Sequence, residues 1–465
     1  MYRERELAPD DAYHIMAHMS QENEPLGAYA NGKDIVYLFL RADGVHGIRT
    51  EPKGNPVRSL SVDLPLYDWH EREMRQKHGV IFVGHPDPRP LVIDSNGVPP
   101  ALTAEGKGVN VVVVGPVHAG IIEPGRFTFS TGGETTIHLD AQFSYGHRDI
   151  ERALEGRDAI EAAPLVARIC GGCSVARSWA YARALEALAG YECDEPTEYA
   201  RVVFAELERL YNHVFDLASA ASGSGYGRGL TIGLGLKERI LQICNDAASH
   251  RFMFDAVVPG GMKAGVLQRP GTLRADLQKL QVDVDRFMDE LFENRSVLRR
   301  LQGTGVADSQ TARLFGACGP ARRASGGTLD VRAFSPYGIY ARLGVRTMTS
   351  STGDVLARCH VKRDEIGEAF RLIHDTLAML AGRALTAPRV IRPKAGRTTT
   401  AVEGPRGLET VSLEIEDDGS IGRVHVISAS YRNWPVVVRA MEGNIIPDFP
   451  LINKSFNLCY SCMDR

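Results

Sequence analysis

Apolar side chains recur at helical spacing through the middle of the chain and predict long amphipathic helices. Steps of four, three, four and three residues separate the apolar positions of two stretches, Val203, Leu207, Leu210, Val214 and Leu217, and Ile366, Phe370, Ile373, Leu377 and Leu380. This spacing places all five side chains of a stretch on one helix face, which we expect to pack against another helix. Residues 231–254 and 272–301 carry comparable stripes, so the pattern predicts a bundle of long helices.

Shorter patterns before residue 100 predict a small α/β domain. Asp34–Leu40 is a β-like apolar run, and Asp68–Arg75 is an amphipathic helical segment. Proline and glycine then punctuate the chain as in a linker. We therefore expect an N-terminal α/β domain over residues 1–100, a linker over 101–108 and a large domain over 109–465.

Patterns at both ends of the large domain predict strands and hairpins around the helix bundle. Val111–Val114 is expected to be a buried strand, and Thr128–Leu139 a hairpin around two glycines. Near the C-terminus, Thr410–Ile415 and Gly422–Ser428 are predicted strands on either side of an Asp-Asp-Gly turn. The predicted fold class is α+β, with peripheral β-hairpins on a long-helix bundle.

Composition and charge give no reason to expect a nucleic-acid-binding, secreted or membrane-spanning protein. The 54 Lys and Arg nearly balance the 57 Asp and Glu, which gives no electrostatic reason to expect a nucleic-acid partner. No secretory signal and no run of about 18 apolar residues is visible, so any membrane contact is expected to come through partners. Eight cysteines without a secretion signal fit a reducing compartment better than a disulfide scaffold.

Four of the cysteines form two C-x-x-C pairs, Cys170 with Cys173 and Cys459 with Cys462. Such a turn points two sulfurs at one position, and thiolates select zinc, copper(I), iron or nickel. Either pair alone is equally consistent with a redox couple or two core cysteines. Two pairs favour one metal centre, which requires the tail to return beside residue 170. A predicted helix over Ser174–Ala189 would present its positive N-terminal end to the first pair and favour thiolates.

Other candidate ligands lack this spacing. His213 lies on the flank of an apolar stripe and is interpreted as a packed or capping histidine. The remaining cysteines are interpreted as small structural side chains, and they are Cys193, Cys244, Cys318 and Cys359.

The motifs around both cysteine pairs resemble those of a known family. Residues 168–173, Arg-Ile-Cys-Gly-Gly-Cys, and the tail 455–465 resemble the large subunit of the nickel–iron (NiFe) hydrogenases. The resemblance is to the membrane-bound, energy-converting (group 4) type, which is related to the formate hydrogenlyase large subunit and to two fused subunits of complex I. Glu71–Glu73 and Gly84–Asp87 resemble the 30-kDa subunit of complex I, and Gly353–Arg358 resembles a stretch shared with its 49-kDa subunit.

This resemblance implies a nickel–iron centre with carbon monoxide and cyanide on the iron. Cys170 and Cys459 are then expected as terminal nickel ligands, and Cys173 and Cys462 as bridges between the metals. The implied reaction is the reversible conversion of H2 into two protons and two electrons.

The resemblance also implies roles for three residues in the reaction. Glu123 is expected beside a nickel-bound cysteine, where burial and like charge would raise its pKa and suit proton exchange. Cys459 or Glu123 is expected to pass the proton. Arg406, in a Pro-Arg-Gly turn, is expected above the metals, where it assists hydrogen cleavage.

Two departures from the family alter the expected surroundings of the metals. Arg177 stands where relatives carry a histidine that donates to a bridging sulfur, and Asn457-Leu458 replaces Asp-Pro before the second pair. His147 and Arg148 resemble a family turn, with Asp149 in place of glycine, and are expected to support the site or a partner contact.

The expected partners follow from the same resemblance. An iron–sulfur small subunit is expected to carry a 4Fe-4S cluster, because no spare cysteine set remains here to bind one. Membrane-embedded antiporter-like or complex I-like subunits and a formate dehydrogenase or ferredoxin-like electron partner are also implied. The chain is thus expected at the cytoplasmic face of the inner membrane, peripheral through these subunits. Its end, three residues after Cys462, resembles a processed form or a gene without the cleaved tail.

Two alternatives remain open from the sequence. A complex I-like subunit related to NADH:quinone oxidoreductase could keep the fold with altered or no hydrogen chemistry. A structural zinc clamp could use all four cysteines to pin the tail to the bundle.

Overall fold

A computed structural model of the chain describes residues 2–18, 23–93, 97–118 and 122–465. The fold is α+β, as predicted: a small N-terminal sheet region precedes a large helical region with peripheral hairpins. The strands are β1 Arg3–Glu6, β2 Glu24–Asn31, β3 Asp34–Arg41, β4 Gly44–Thr50, β5 Val57–Arg58, β6 Phe82–Val83, β7 Val109–Val114, β8 Arg126–Gly132, β9 Thr135–Gln142, β10 Val257–Val258, β11 Gly261–Met262, β12 Gly396–Gly404, β13 Gly407–Ile415 and β14 Ile421–Ile427. The helices are α1 Pro9–Ala17, α2 Asp68–His78, α3 Ile150–Leu154, α4 Ala163–Ala167, α5 Ser174–Ala189, α6 Glu195–Gly223, α7 Gly227–Ala248, α8 Pro270–Glu293, α9 Arg295–Leu301, α10 Ser309–Leu314, α11 Gly319–Ala324, α12 Val331–Phe334, α13 Tyr340–Leu343, α14 Val355–Leu380, α15 Ala429–Met441 and α16 Phe449–Phe456.

The N-terminal sheet is buried on both faces, which explains the unbroken apolar run of β3. Its strand order is β1-β4-β3-β2, with β1 parallel to β4 and the other pairs antiparallel. Ile35 and Tyr37 belong to a small core shared with α1 and α2, whereas Val36 and Leu38 belong to the main core of the molecule. The sheet therefore packs against the large region, and the division at residues 1–100 stays a prediction.

The segment between the two regions has no helix or strand over residues 98–108, but it is held to the large region. The Gln142 side chain donates to the carbonyl of Pro99 at 2.7 Å, and the Ala104 N–H donates to Ser130 Oγ at 3.0 Å. The predicted linker is thus anchored against the β8–β9 hairpin.

Four long helices form the predicted bundle, in which α14 and α7 pack against α6 and α8 packs against α7. The predicted apolar stripes on α6 and α14 are buried. The helical segment predicted over residues 272–301 is present, but Asn294 divides it into α8 and α9. Asn294 is extended, and its side chain accepts N–H groups of Ser296 and Val297 as the N-cap of α9. Among the described residues, no helix is both long and apolar enough to cross a membrane.

The valine strand departs from its prediction. Val111–Val114 does lie in a strand, but Val111 is 51% exposed, Val112 40% and Val113 46%. In the described part of the chain, β7 is the edge of the sheet β7-β8-β9 and pairs with β8 alone. The expectation of a buried strand is therefore wrong for these three valines, whereas Val114 packs against the main core. The predicted β8–β9 hairpin is confirmed.

The three-stranded sheet β12-β13-β14 carries the turn at Arg406 and packs beside α5. The predicted β13–β14 hairpin is confirmed, and β12 and β13 are joined at Gly404–Gly407, the turn that contains Arg406. This sheet packs on α5, whose N-terminal end follows the first cysteine pair. The turn and the cysteines therefore come from distant parts of the sequence to one place.

The tail returns into the molecule after α16. Asn457 adopts a left-handed conformation with φ of +52°, which ends α16 and reverses the chain. Further along the tail, the buried Arg465 guanidinium donates to both oxygens of Glu73 at 2.7 and 2.8 Å and lies 2.9 Å from Glu151. These ion pairs tie the tail to α2 and α3.

Candidate metal centre

The four cysteines of the two C-x-x-C pairs meet in one cluster. The Sγ atoms of Cys170, Cys173, Cys459 and Cys462 all lie within 4.8 Å of one another. Three of these side chains are buried and that of Cys459 is half-buried. The convergence expected from the sequence is confirmed, because the tail does return beside residue 170.

The first pair lies on a short 3-10 turn that runs directly into α5. Arg148 Nη2 donates to the carbonyl of Ile169 at 2.7 Å, Tyr211 donates to that of Gly171 at 3.0 Å, and Asn212 Nδ2 donates to that of Gly172 at 2.9 Å. These three carbonyls are therefore satisfied by protein donors. The ligand-bearing loop is thus fixed by side chains of α6 and by the turn before α3.

Glu208 on α6 supports the same loop. Its carboxylate accepts the N–H groups of Val175 and Ala176 at 2.7 and 3.0 Å in the first turn of α5. Burial raises the pKa of Glu208 to about 8. Glu208, Tyr211 and Asn212 were not identified from the sequence. They lie on α6 outside its apolar stripe, and polar residues on a helix predicted to be buried indicate a specific contact.

The second pair is held by the turn that contains His147 and Arg148. The Asp464 carboxylate accepts the N–H groups of Ser144 at 2.6 Å and Gly146 at 3.0 Å. The Asp464 carbonyl accepts the Arg148 N–H at 3.0 Å and lies 3.2 Å from His147 Nδ1. Arg148 therefore contacts both cysteine-bearing segments, which fits the supporting position predicted for it and for His147.

The thiols share their charge unevenly. Hydrogen bonds from the other three thiols, Cys173 first, hold the pKa of Cys170 well below its usual range. The hydrogen bond with Cys170 in turn raises the pKa of Cys173 and of Cys462 well above that range. Binding a metal to all four sulfurs therefore requires release of the protons that the raised pKa values keep on Cys173 and Cys462.

Arg177 lies inside the protein against the cluster. Its side chain is fully buried, and Nη2 donates to Cys462 Sγ at 3.3 Å and to Glu409 Oε2 at 2.7 Å. Burial alone would lower the pKa of Arg177, but the charges of Glu409 and Cys462 raise it well above its ordinary value. The expectation that a guanidinium here still donates to a cysteine sulfur agrees with this geometry.

Arg406 lies near Cys459 and the first cysteine loop. Its Nε donates to the carbonyl of Asn457, and Nη1 donates to Asn212 Oδ1. A Cβ atom built on Gly172 would lie 3.5 Å from Cys459 Sγ and 3.6 Å from Arg406 Nη1. The glycine therefore leaves a space between the guanidinium and the sulfur that any side chain would fill.

Glu123 differs from its prediction in burial. It lies at the surface, and its Oε2 accepts the N–H of Ser461 at 2.7 Å, between the two cysteines of the second pair. The expected proximity to the ligand loop is present, whereas the expected burial is wrong. The neighbouring Ile122 is also exposed.

The histidine and the four cysteines that were interpreted as structural from the sequence lie outside the cluster. His213 is buried, and its Nε2 lies 2.8 Å from Glu365 in a network of ion pairs between α6 and α14. The other four cysteines contribute no sulfur to the cluster. The interpretation of His213 as a packed residue is confirmed.

The donor set fits a soft metal. Four clustered thiols supply sulfur ligands, and the adjacent cations Arg177 and Arg406 offset the negative charge of thiolates in a buried site. Nε and Nη1 of Arg177 have no hydrogen-bond partner among the described residues, so donors remain available beside the sulfurs. Nickel, iron and zinc all accept such ligands.

Three family profiles match the sequence. The 49 Kd subunit of respiratory-chain NADH dehydrogenase matches residues 225–395 and 383–465, and the 30 Kd subunit of the same enzyme matches residues 6–102. The nickel-dependent hydrogenase family matches residues 148–217, the stretch that contains Cys170 and Cys173.

Relatives that cover most of the chain carry hydrogenase and complex I names. Formate hydrogenlyase subunit 5 of Escherichia coli is 29% identical over 90% of this chain and 79% of its own length. Membrane-bound hydrogenase subunit alpha of Pyrococcus furiosus is 29% identical over 76% of this chain and 86% of its own length. The C/D subunit of the NADH-quinone oxidoreductase of Bacteroides fragilis is 26% identical over 88% of this chain and 85% of its own length.

Proposed function

We propose that this chain, which belongs to the family of the 49-kDa subunit of respiratory-chain NADH dehydrogenase and its hydrogenase relatives, is the catalytic large subunit of a membrane-associated nickel–iron hydrogenase. The observation that carries the proposal is the meeting of four cysteine sulfurs within 4.8 Å. Complex I-type function alone gives no reason for two thiol pairs from opposite ends of the large region to converge. The proposed division is an N-terminal domain over 1–100, a linker over 101–108 and a catalytic domain over 109–465.

In this proposal Cys170, Cys173, Cys459 and Cys462 hold the metals. When bound, a nickel–iron centre with carbon monoxide and cyanide on the iron supplies the reversible splitting of H2. Arg406 supplies a fixed positive charge beside the space left by Gly172, where it stabilises developing negative charge.

Proton transfer is assigned to Cys459 and Glu123. Cys459 is the half-buried member of the cluster, so its sulfur is the best placed to accept a proton and release it outward. Glu123 is exposed and hydrogen-bonded to Ser461 between the second pair, which supports a role in passing protons to solvent.

The proposed partners rest on the family resemblance, and the names of the relatives, which are subunits of larger enzymes, support an assembly of several chains. An iron–sulfur small subunit with a 4Fe-4S cluster would exchange electrons with the centre. Membrane-embedded complex I-like or antiporter-like subunits would hold the chain at the cytoplasmic face of the inner membrane, with a formate dehydrogenase or ferredoxin-like protein as electron partner.

A second candidate is a complex I-like subunit without hydrogen chemistry. It is favoured by the 49 Kd and 30 Kd profiles and by the quinone-oxidoreductase relative. Arg177 and Asn457, the two departures from the family pattern near the thiols, also favour this alternative.

Hydrogen-dependent reduction of a viologen dye by the purified complex separates the two candidates. We expect turnover in the native complex and its loss in Cys459→Ser. Cys193→Ser is the matched control, because Cys193 lies outside the cluster and its removal should leave turnover unchanged. A native complex that holds nickel and iron but shows no hydrogen turnover would favour the complex I-like candidate.

Exchange between D2 and solvent protons tests the proton route. Glu123→Gln removes the carboxylate while keeping an acceptor for the Ser461 N–H, so we expect slower exchange by about 100-fold with the metal content unchanged. Glu134→Gln, an exposed change in the β8–β9 turn, is the control. Unchanged exchange in Glu123→Gln would remove Glu123 from the route.

A further inference from the structure

A buried ion cluster lies behind Arg406 and joins several parts of the fold. Its anion is Asp216 on α6, and its cation is Lys362 on α14, whose Nζ donates to Asp216 Oδ2 at 2.6 Å. Both side chains are almost fully buried. Lys362 also donates to the carbonyl of Ser455 at 2.8 Å, at the end of α16. The cluster therefore fixes the point from which the second cysteine pair leaves the helix.

The other oxygen of Asp216 faces the Arg406 turn. Asp216 Oδ1 accepts a hydrogen bond from the Asn457 amide and lies 3.6 Å from Arg406 Nη2. Asn457 and Asn212 give Arg406 neutral oxygen acceptors, which fix the plane of the guanidinium. Among the described residues, Asp216 is the carboxylate within 4.0 Å of Arg406, and its charge faces Nη2 of the guanidinium.

We infer that Asp216 is a positioning residue that holds Arg406 towards Cys459, and that Lys362 fixes the Asp216 carboxylate. The inference rests on the proposed function, because it assigns the partner of the arginine in that site. A carboxylate and a guanidinium attract strongly in a site shielded from water. Asp216 faces Nη2, whereas the neutral acceptors bind Nε and Nη1, so loss of the charge weakens the hold on the Nη2 side of the guanidinium.

Asp216 and Asn457 are hydrogen-bonded to each other, so the carboxylate can be transferred from position 216 to position 457 by exchanging the two residue types. Asp216→Asn removes the carboxylate, and the double variant Asp216→Asn with Asn457→Asp returns it to the adjacent position. In the purified complex we expect hydrogen turnover to fall about 100-fold in the single variant and to recover at least partly in the double variant. The infrared bands of carbon monoxide and cyanide are expected to shift in the single variant and to move back in the double variant.

Asp330→Asn is the matched control. Asp330 is equally buried and paired with Arg332 at 2.7 Å, but it has no contact with Arg406. We expect this variant to lose stability without moving the infrared bands. Native turnover and unshifted bands in Asp216→Asn would overturn the inference, as would equal band shifts in Asp330→Asn.

A readout without metal separates this inference from the proposed function. Thermal unfolding of the full chain carrying Asp216→Asn, Arg406→Gln or both forms a double-mutant cycle. We expect the loss in Tm of the double variant to be clearly smaller than the sum of the single losses. Additive losses would overturn the positioning role, whereas coupled losses in a complex that has no hydrogen turnover would overturn the proposed function alone.

Discussion

Arg177 and Glu409 form an ion pair that is enclosed by protein and touches a cysteine sulfur. Both side chains are at most 1% exposed, and the N···O distance is 2.7 Å. Each charge is acceptable there because the other is present, so removing one leaves the other buried and unpaired. Arg177, one of the two departures from the family pattern, therefore lies in the core with its own counter-ion.

Arg177→Met is expected to destabilise the chain by about 3 kcal/mol in denaturant unfolding, because Glu409 loses its cation. Arg177→Met with Glu409→Leu should recover most of that loss, since both charges are then gone. Arg152→Met, at a side chain 82% exposed, is the control and should change the free energy of unfolding by less than about 0.5 kcal/mol. A loss in Arg177→Met no larger than in the control would contradict the account.

Glu71 gives a pH dependence that is independent of the metal site. Its buried carboxylate accepts the Leu60 N–H at 2.7 Å and the Ser61 hydroxyl at 2.8 Å, and burial raises its pKa from 4.5 to about 7. The folded chain thus keeps a proton that the unfolded chain loses. The resulting stability is complete below about pH 4.5 and is lost as the pH rises to about 7.

Glu71→Gln should remove that part of the pH dependence. Plots of the unfolding midpoint against pH are expected to fall less steeply between about pH 4.5 and 7 in the variant than in the native chain. Parallel plots would show that Glu71 does not titrate in this window.

At the residue level the sequence predicted the cysteine cluster better than its surroundings. The four cysteines were visible from spacing and family resemblance, and the contact of Arg177 with a sulfur was anticipated. The exposure of Glu123 was not, because it depends on what covers β7 and the following segment, which local sequence does not encode. Asp216 was missed because it lies on a helix otherwise recognised by its apolar stripe.

At the scale of elements, the start of α11 lies in close backbone contact with the β12–β13 turn that contains Arg406. Gly319 at the start of α11 has φ of +62°, and a Cβ there would lie 2.4 Å from both the carbonyl oxygen of Arg406 and Cα of Gly407. Glycine thus allows α11 to pack directly on the β12–β13 turn.

Gly319→Ala is expected to lower both stability and hydrogen turnover, because the new methyl group pushes on the Arg406 turn. Gly344→Ala is the matched control, since Gly344 has φ of +57° but open space around the added Cβ. In both variants alanine must adopt a left-handed backbone conformation, which costs about 1–2 kcal/mol. The difference in Tm between them therefore measures the contact of the new methyl group at position 319 with the Arg406 turn. Equal Tm values and equal turnover would show that the turn accommodates the methyl group.

Periodicity predicted the elements well where one face packs on a neighbour. The stripes on α6 and α14 are buried as expected, whereas the break at Asn294 was hidden in a continuous stripe because a capping side chain, not the apolar pattern, ends the helix. The valine run of β7 matched a buried strand in composition but forms an edge. Apolar composition alone does not distinguish a buried strand from an exposed edge strand.

Across the whole molecule, distant segments close around the cysteines. The tail passes between the first loop and the turn at His147, and Arg465 then pairs with Glu73 on α2 and Glu151 on α3. The N-terminal region thereby contacts the chain end that carries Cys459 and Cys462. Spacing in the sequence required this return of the tail, but only the packed structure gives the groups that hold it.

Metal content of the purified complex, combined with an infrared scan, tests the central claim most directly. We expect nickel and iron together with the infrared bands of carbon monoxide and cyanide bound to iron. Cys459→Ser should lose them, while Cys193→Ser should retain them. Zinc alone, or no metal and no bands, would contradict the hydrogenase assignment and leave the four thiols as a clamp on the tail.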